Sequence, residues 1–203
     1  MTYLKSRLSA LTLTALVAGL AAGPEIGNGK AVGNPAAPIR LELYSDFMCP
    51  KCKWFHENLL PVIIKDYVIT GKAYFVSREF PLDLKEHKYS REAAASAAAA
   101  ARIGKYDAVS DALFKNQSSW GKTGKVWDTV AAALSPEERK KVQALARDPA
   151  VLAEVQRDYL EATRLRLGGT PTMVISRGMK QQPWSYFDDY GLLRSYLDGL
   201  LKK

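Results

Sequence analysis

The order of predicted elements along the chain defines a mixed α/β protein with a helical insertion in its middle. Residues 39–44 alternate apolar and polar side chains, the period of two that a β-strand requires. Apolar residues then recur at spacings of three and four in residues 50–68, which predicts an amphipathic helix. From residue 89 to residue 167 the pattern is helical throughout. The predicted fold is therefore a central mixed β-sheet flanked by helices, with an inserted helical domain.

The remaining elements fit the same arrangement. Residues 72–77 predict a second strand between the first helix and the helical block. After that block, residues 172–176 predict a third strand and residues 179–182 a short fourth one. A last amphipathic helix is expected over residues 186–201. Helices on both sides of a central sheet account for this order of elements.

Two features of the predicted helices have structural consequences. Pro61 lies inside the first helix and should kink it or end its first part, because proline lacks the N–H of a helical hydrogen bond. Residues 93–101 are nearly all alanine. Alanine has the highest helix propensity, and its small side chain lets neighbouring helices approach closely.

Composition excludes several protein classes. The chain has 203 residues, of which 47% are hydrophobic and 25% charged, as in ordinary globular proteins rather than collagen-like, disordered or polytopic membrane proteins. The formal net charge is +8, but acidic and basic residues are interleaved, as in residues 137–141. Such interleaving is typical of solvated helix faces. We therefore expect no nucleic-acid partner.

The N-terminal segment predicts export. Lys5 and Arg7 precede an apolar run over residues 8–22 that ends in small residues, the layout of a secretory signal peptide over residues 1–23. An uncleaved anchor is the alternative, although the run is shorter than the ~20 residues of a membrane-spanning helix. Exported thiols tend to be oxidised. Residues 24–37 are rich in Gly, Pro and Asn and predict a flexible tail.

The chain has two cysteines, and they lie between a predicted strand and a predicted helix, in the motif Cys49-Pro50-Lys51-Cys52. This spacing at a helix start places both sulfurs on one side, close enough for a disulfide. We expect Cys49 to be an exposed nucleophile, because unpaired N–H groups and the helix dipole stabilise its thiolate. Cys52 should face the core and resolve the mixed disulfide. Pro50 suits the first helical position, and Lys51 adds a cation that favours the thiolate.

Two other interpretations of the cysteines stay open at this point. Cys49, Cys52, His56 and His87 could together supply four metal ligands. A second closely spaced ligand pair is missing from the sequence, so we expect no metal. The cysteines could also be a chance pair of buried residues.

Residues 43–52 (Leu-Tyr-Ser-Asp-Phe-Met-Cys-Pro-Lys-Cys) resemble the active-site strand and helix of DsbA-like proteins, which have the thioredoxin fold. The family pattern continues in order through residues 78–82, His87, the alanine-rich helix, residues 105–107, residues 111–114 and residues 169–172. The resemblance covers roughly residues 37–202. It implies a thioredoxin-like domain over residues 38–86 and 168–203, interrupted by a helical domain over residues 87–167.

The resemblance also implies two further site features. Thr170-Pro171 would be a cis peptide that faces the disulfide and offers backbone groups of Thr170 to a substrate peptide; an ordinary turn proline is the alternative. Family members often carry a buried proton-transfer acid beneath the resolving cysteine. Glu42 is the candidate, although many relatives have the acid at the position of Leu43. A shift of one residue reverses the face of a strand, so Glu42 would need a bulge to point correctly.

The activity implied is that of an exported thiol:disulfide oxidoreductase, which donates its Cys49–Cys52 disulfide to reduced substrate proteins. It would act as a monomer in the bacterial periplasm or on the cell-envelope exterior, without organic cofactor or metal. A membrane protein that passes electrons to quinone would re-oxidise it. A reductase or isomerase on the same fold is the alternative. A non-catalytic peptide-binding or chaperone module is a third possibility.

Overall fold

The computed structural model describes residues 30–202. They form one five-stranded sheet with helices packed around it. The strands are β1 (Ala31–Val32), β2 (Ile39–Ser45), β3 (Ala73–Glu79), β4 (Thr172–Arg177) and β5 (Lys180–Trp184). Their spatial order is β1-β3-β2-β4-β5, with β2 and β3 parallel and the other neighbours antiparallel. This sheet confirms the predicted mixed α/β class. The predicted signal peptide over residues 1–23 lies outside the described residues.

Eight helices of the described residues flank the sheet: α1 (residues 50–68), α2 (Ser90–Ala101), α3 (Tyr106–Lys115), α4 (Gln117–Thr123), α5 (Val126–Ala132), α6 (Pro136–Leu145), α7 (Pro149–Arg164) and α8 (Tyr190–Leu201). A 3-10 turn at Lys85–His87 precedes α2. Helices α2 to α7 lie between β3 and β4, within the stretch predicted as the inserted domain. None of these eight helices combines the length and the apolar character needed to cross a membrane.

Helix α1 continues past Pro61, so the proline does not end the first part of the helix. In a regular α-helix the proline ring would clash with the carbonyl four residues earlier. The chain widens instead into π-helical turns at Phe55–Leu59 and Ile64–Val68. The N–H of Leu60 accordingly bonds the carbonyl of Phe55, five residues back. The helix therefore runs from the cysteine pair to Val68 without ending at the proline.

Two hydrophobic cores meet at the first turns of α1. The first core lies between the sheet and helices α1 and α8, where Phe55 and Leu193 are fully buried. The second core lies inside the insertion, where the buried alanines of α2 let α3, α5, α6 and α7 pack closely. Cys49 and Cys52 belong to the second core, whereas Phe55 packs in the first. The cysteine pair therefore lies at the junction of the two cores.

Residues 30–32 are part of the fold, and the predicted flexible tail is wrong for this part of the 24–37 stretch. Strand β1 pairs with β3, and the ammonium of Lys30 is buried among three carboxylates. Lys30 Nζ lies 3.0 Å from Asp158, 3.2 Å from Glu154 and 3.6 Å from Glu79. A buried lysine keeps its charge only when carboxylates pair with it. The partners of Lys30 are distant in sequence, so composition alone does not reveal them.

Glu79 has the weakest counter-charge in this cluster. Asp158 also pairs with Arg78 at 3.0 Å. Glu79 instead has the more distant Lys30 ammonium and the hydroxyl of Tyr106, which donates to it at 3.1 Å. Burial, opposed by the charge of Lys30, therefore raises the pKa of Glu79 to about 7.

Replacing Lys30 by Met should destabilise the protein by about 3–5 kcal/mol, because three carboxylates would stay buried without their shared cation. Denaturant unfolding followed by circular dichroism measures this loss. Lys85 is exposed, and Lys85→Met is the matched control, with an expected change below about 0.5 kcal/mol. Equal stabilities of the two variants would contradict a buried Lys30.

Replacing Glu79 by Gln should remove a pH dependence of stability. The folded state holds the Glu79 proton up to about pH 7, whereas the unfolded state loses it near 4.5. The free energy of unfolding of the wild type should therefore fall as the pH rises through this window. Glu79→Gln cannot ionise, so its stability should fall less than that of the wild type between these two pH values. The exposed Glu86→Gln variant should keep the wild-type slope.

Candidate active site

The N-terminus of α1 carries both cysteines as free thiols. Cys49 is the N-cap residue, with an extended backbone (φ −76°, ψ 120°), and Pro50 occupies the first turn, as expected. Among the residues that the structure describes, no side chain caps this helix end by a hydrogen bond. The first N–H groups of α1 are therefore available to the sulfur of its own N-cap residue.

The pKa of Cys49 is lowered to about 6, chiefly by a hydrogen bond from the thiol of Cys52. Burial opposes this effect. The Thr170 side chain and the backbone N–H groups of Cys52 and Lys51 favour the thiolate as well. Lys51 was expected to act through its ammonium, but its side chain is exposed and its contribution here comes from the backbone.

Cys52 has the opposite character. Burial, reinforced by the neighbouring Cys49, raises the pKa of the Cys52 thiol well above its ordinary value. Only 1% of Cys52 is accessible, against 7% of Cys49. Cys49 is therefore the more accessible sulfur, but it is largely covered, contrary to the expectation of an exposed nucleophile. Thr170, in the loop before β4, is one of the residues that contact it.

That loop contains a cis Thr170–Pro171 peptide. The sulfur of Cys49 lies 3.3 Å from the carbonyl oxygen of Thr170, so the structure brings together the residues that the resemblance placed opposite each other. The Thr170 hydroxyl is buried and has no hydrogen-bond partner within residues 30–202. It is therefore free to turn its proton toward a thiolate at Cys49.

Glu42 lies on the wrong face of β2 to serve Cys52. Strand β2 pairs residue for residue with β3 and β4, without the bulge that Glu42 would need. Leu43 consequently faces the core beneath α1, whereas Glu42 bonds Arg78 Nε at 2.9 Å on the opposite face. The prediction of Glu42 as a proton-transfer acid is wrong, because the shift of one residue does reverse its direction.

A cavity of about 350 Å³ lies behind Cys52, between α1 and α3. Leu43 and Phe114 are among its apolar lining residues. Tyr106 and Lys30 line it as well, and both contact Glu79. Glu79 is therefore a buried carboxyl in contact with two residues that line this cavity. The sequence places a lone acid at the end of an apolar strand, but it does not reveal these partners.

Asp46 organises the loop that precedes Cys49. Its buried carboxylate accepts hydrogen bonds from the N–H groups of Met48 at 2.7 Å and Leu82 at 2.8 Å, and from the Ser90 hydroxyl at 2.5 Å. His87 Nδ1 pairs with it at 2.7 Å. Asp46 thus attaches the active-site loop to the start of the insertion.

The four residues weighed as metal ligands have other partners. His56 pairs with Asp111 at 2.6 Å, and His87 pairs with Asp46. Within residues 30–202, no group of three or more His, Cys, Asp or Glu side chains is arranged to hold a metal ion.

Cys49 is an acidic thiol at a helix N-cap, Cys52 is a buried second thiol, and a cis-proline loop lies against the Cys49 sulfur. These features define the class of protein to which the chain belongs. It is that of thioredoxin-fold proteins whose reactive unit is a dithiol at the start of a helix. The family model described as thioredoxin matches residues 25–186, and the chain belongs to this family.

Relatives and solved structures agree with this assignment. A Rickettsia typhi protein, named as a candidate protein-disulfide oxidoreductase, is 24% identical over 163 residues, which are 78% of this chain. The match spans 58% of that relative, so the chain corresponds to about three fifths of its length.

Similar solved structures share the fold of this chain, and several of them are DsbA proteins. The oxidised BdbD structure from Bacillus subtilis has a TM-score of 0.67 at 22% identity and covers 89% of this chain and 96% of its own. The Wolbachia pipientis α-DsbA1 structure also has a TM-score of 0.67 at 22% identity, over 84% of this chain and 89% of its own. These similarities confirm the predicted DsbA-like thioredoxin fold.

Alkylation of the reduced protein should show Cys49 reacting with a midpoint near pH 6, and Cys52 staying unreactive there. Iodoacetamide labelling followed by mass spectrometry of the peptides measures both midpoints. Ionisation of Cys49 should also contribute an increase in the free energy of unfolding of the dithiol form between about pH 6 and 9, because the folded state holds a thiolate that the unfolded state lacks. This contribution is opposite in sign to that of Glu79 and should be absent in Cys49→Ser.

Two substitutions of Cys52 provide the control. Cys52→Ser keeps a hydroxyl that can donate to Cys49, whereas Cys52→Ala removes the donor. The Cys49 midpoint should therefore lie higher in Cys52→Ala than in Cys52→Ser. A wild-type midpoint near the ordinary ~8.5 would contradict the stabilised thiolate.

Proposed function

We propose that the chain is an exported thiol:disulfide oxidoreductase that donates its Cys49–Cys52 disulfide to reduced substrate proteins. The observation that carries this proposal is the opposite shift of the two thiol pKa values, downward for Cys49 and upward for Cys52. Stabilising the Cys49 thiolate stabilises the reduced form of the couple. The disulfide form is then a strong oxidant.

The exchange proceeds in two displacements. A substrate thiolate attacks the Cys49 sulfur, the Cys49–Cys52 bond breaks, and Cys52 leaves with the electron pair and takes up a proton. A second substrate thiolate then attacks the substrate sulfur of the mixed disulfide and releases Cys49 as a thiolate. The substrate has lost two electrons and gained a disulfide, and the protein has gained both electrons. Because a thiol of low pKa leaves faster, the acidity of Cys49 favours the second displacement.

The loop at Thr170 is the proposed contact for the substrate backbone. Its carbonyl oxygen lies 3.3 Å from the Cys49 sulfur, so a peptide whose cysteine bonds Cys49 would pass beside it. The loop that contacts Cys49 is then part of the binding surface. An extended peptide can exchange main-chain hydrogen bonds with such a loop.

Several finer points belong to the same proposal. The apolar run over residues 8–22 supports export, to the periplasm or the cell-envelope exterior. A membrane protein linked to quinone would re-oxidise the dithiol, and the chain would act as a monomer. The chemistry of the couple needs no organic cofactor and no metal, because both electrons are held by Cys49 and Cys52.

Equilibration with glutathione tests the direction of electron flow. We expect a reduction potential closer to the about −120 mV of DsbA than to the about −270 mV of thioredoxin. Reduced and oxidised fractions at defined ratios of glutathione, quantified by alkylation and mass spectrometry, give the value. A potential near that of thioredoxin would overturn the donor function and favour a reductase.

A peptide with two cysteines tests the catalytic function itself. The oxidised wild type should convert it to the disulfide form in one stoichiometric turnover, and Cys49→Ser should not. Full activity of Cys49→Ser would favour a binding module without redox chemistry. Asp128→Asn is a control on the surface of the insertion, because Asp128 is an exposed residue of α5.

A further inference from the structure

The insertion contacts the backbone of the nucleophilic residue through one side chain. Gln117, the first residue of α4, donates its amide Nε2 to the carbonyl of Phe47 at 2.7 Å and to the carbonyl of Cys49 at 3.0 Å. Both distances are those of good hydrogen bonds. One neutral side chain, 68 residues away in sequence, thus bridges the two carbonyls that flank the turn leading into α1.

Within residues 30–202, two other side-chain hydrogen bonds join the insertion to α1, but they lie further along the helix. Lys53 Nζ donates to the carbonyl of Lys115 at 3.3 Å, and His56 pairs with Asp111 at 2.6 Å. Both involve side chains one turn or more beyond Cys49. Gln117 is distinguished from them because it acts on the backbone of the residue that carries the sulfur.

The position of the Cys49 carbonyl matters for the charge on its sulfur. The carbonyl oxygen carries partial negative charge and already accepts from the N–H groups of Cys52 at 3.1 Å and Lys53 at 3.2 Å. The Gln117 amide adds a third donor and offsets part of that negative charge beside the thiolate. It also holds the extended conformation in which the N–H groups of Lys51 and Cys52 reach the sulfur.

We propose that Gln117 is a positioning residue that holds the Cys49 backbone in the geometry favouring the thiolate, and so makes the disulfide more oxidising. This inference rests on the proposed function only in taking Cys49 and Cys52 as the redox couple. It gives the inserted domain a direct effect on the chemistry. An amide suits this place better than a carboxylate, because a carboxylate has no proton to donate and would repel the two carbonyl oxygens.

Substitutions at Gln117 test this function by the titration of Cys49. Gln117→Met keeps the volume and removes the donor, and we expect a more alkaline alkylation midpoint than in the wild type. The glutathione equilibrium should move toward the disulfide by about three- to tenfold, the effect of about one hydrogen bond of ordinary strength. Gln117→Glu should move both measurements further, because its carboxylate repels the carbonyls. The same substitution at the exposed Gln143 of α6, Gln143→Met, should leave both unchanged.

A Gln117→Met variant that folds and keeps the wild-type midpoint and equilibrium overturns the proposal. If that variant does not fold, Gln117→Lys and Gln117→Glu provide the test. Lysine restores a donor, so the pH midpoint of Cys49 alkylation must be lower in Gln117→Lys than in Gln117→Glu. Equal midpoints in these two variants overturn the proposal. The titration needs no substrate. A wild type with an acidic Cys49 that fails to oxidise the two-cysteine peptide would therefore refute the proposed function while leaving the effect of Gln117 measurable.

Discussion

The rest of the structure depends on one interaction, the stabilisation of the Cys49 thiolate at the N-terminus of α1. An N-cap residue usually satisfies the first helical N–H groups with a side-chain oxygen. Here the cap residue has a sulfur, and the helix end becomes a site that favours a thiolate. The surrounding elements supply what this arrangement requires: a second thiol as donor, a loop that contacts the sulfur, and a backbone held in the extended form.

The junction of two cores explains how such a site can be both rigid and reactive. Helix α1 packs on the sheet from Phe55 onward, while Cys52 belongs to the core of the insertion. The loop before Cys49 is attached to the insertion through Asp46 and Gln117. The insertion therefore holds the residues before Cys49 and the Cys52 side chain, whereas the sheet holds α1 from Phe55 onward. The insertion is part of the site and not only an addition to the sheet.

Local patterns in the sequence were sufficient for the elements and for the cysteine pair, because spacing along one helix fixes which groups share a turn. They failed where the site depends on register and on distant segments. The direction of Glu42 depends on a single residue of strand register, and the link from Glu79 to the cavity behind Cys52 runs through Lys30 and Tyr106. Gln117 resembles any other polar residue at a helix start. Only the packing of the insertion shows that it reaches Cys49.

The acidity of Cys49 has a consequence for the fold as a whole. The hydrogen bonds that favour the thiolate exist in the folded dithiol form and are lost on unfolding, so they contribute to the stability of that form alone. In a thermodynamic cycle, whatever stabilises the folded dithiol relative to the unfolded one lowers the stability that the Cys49–Cys52 bond gives to the native state. A disulfide in most exported proteins holds the chain together. Under the proposed donor function the reverse holds for Cys49–Cys52, and transfer of the bond to a substrate would leave the folded protein more stable.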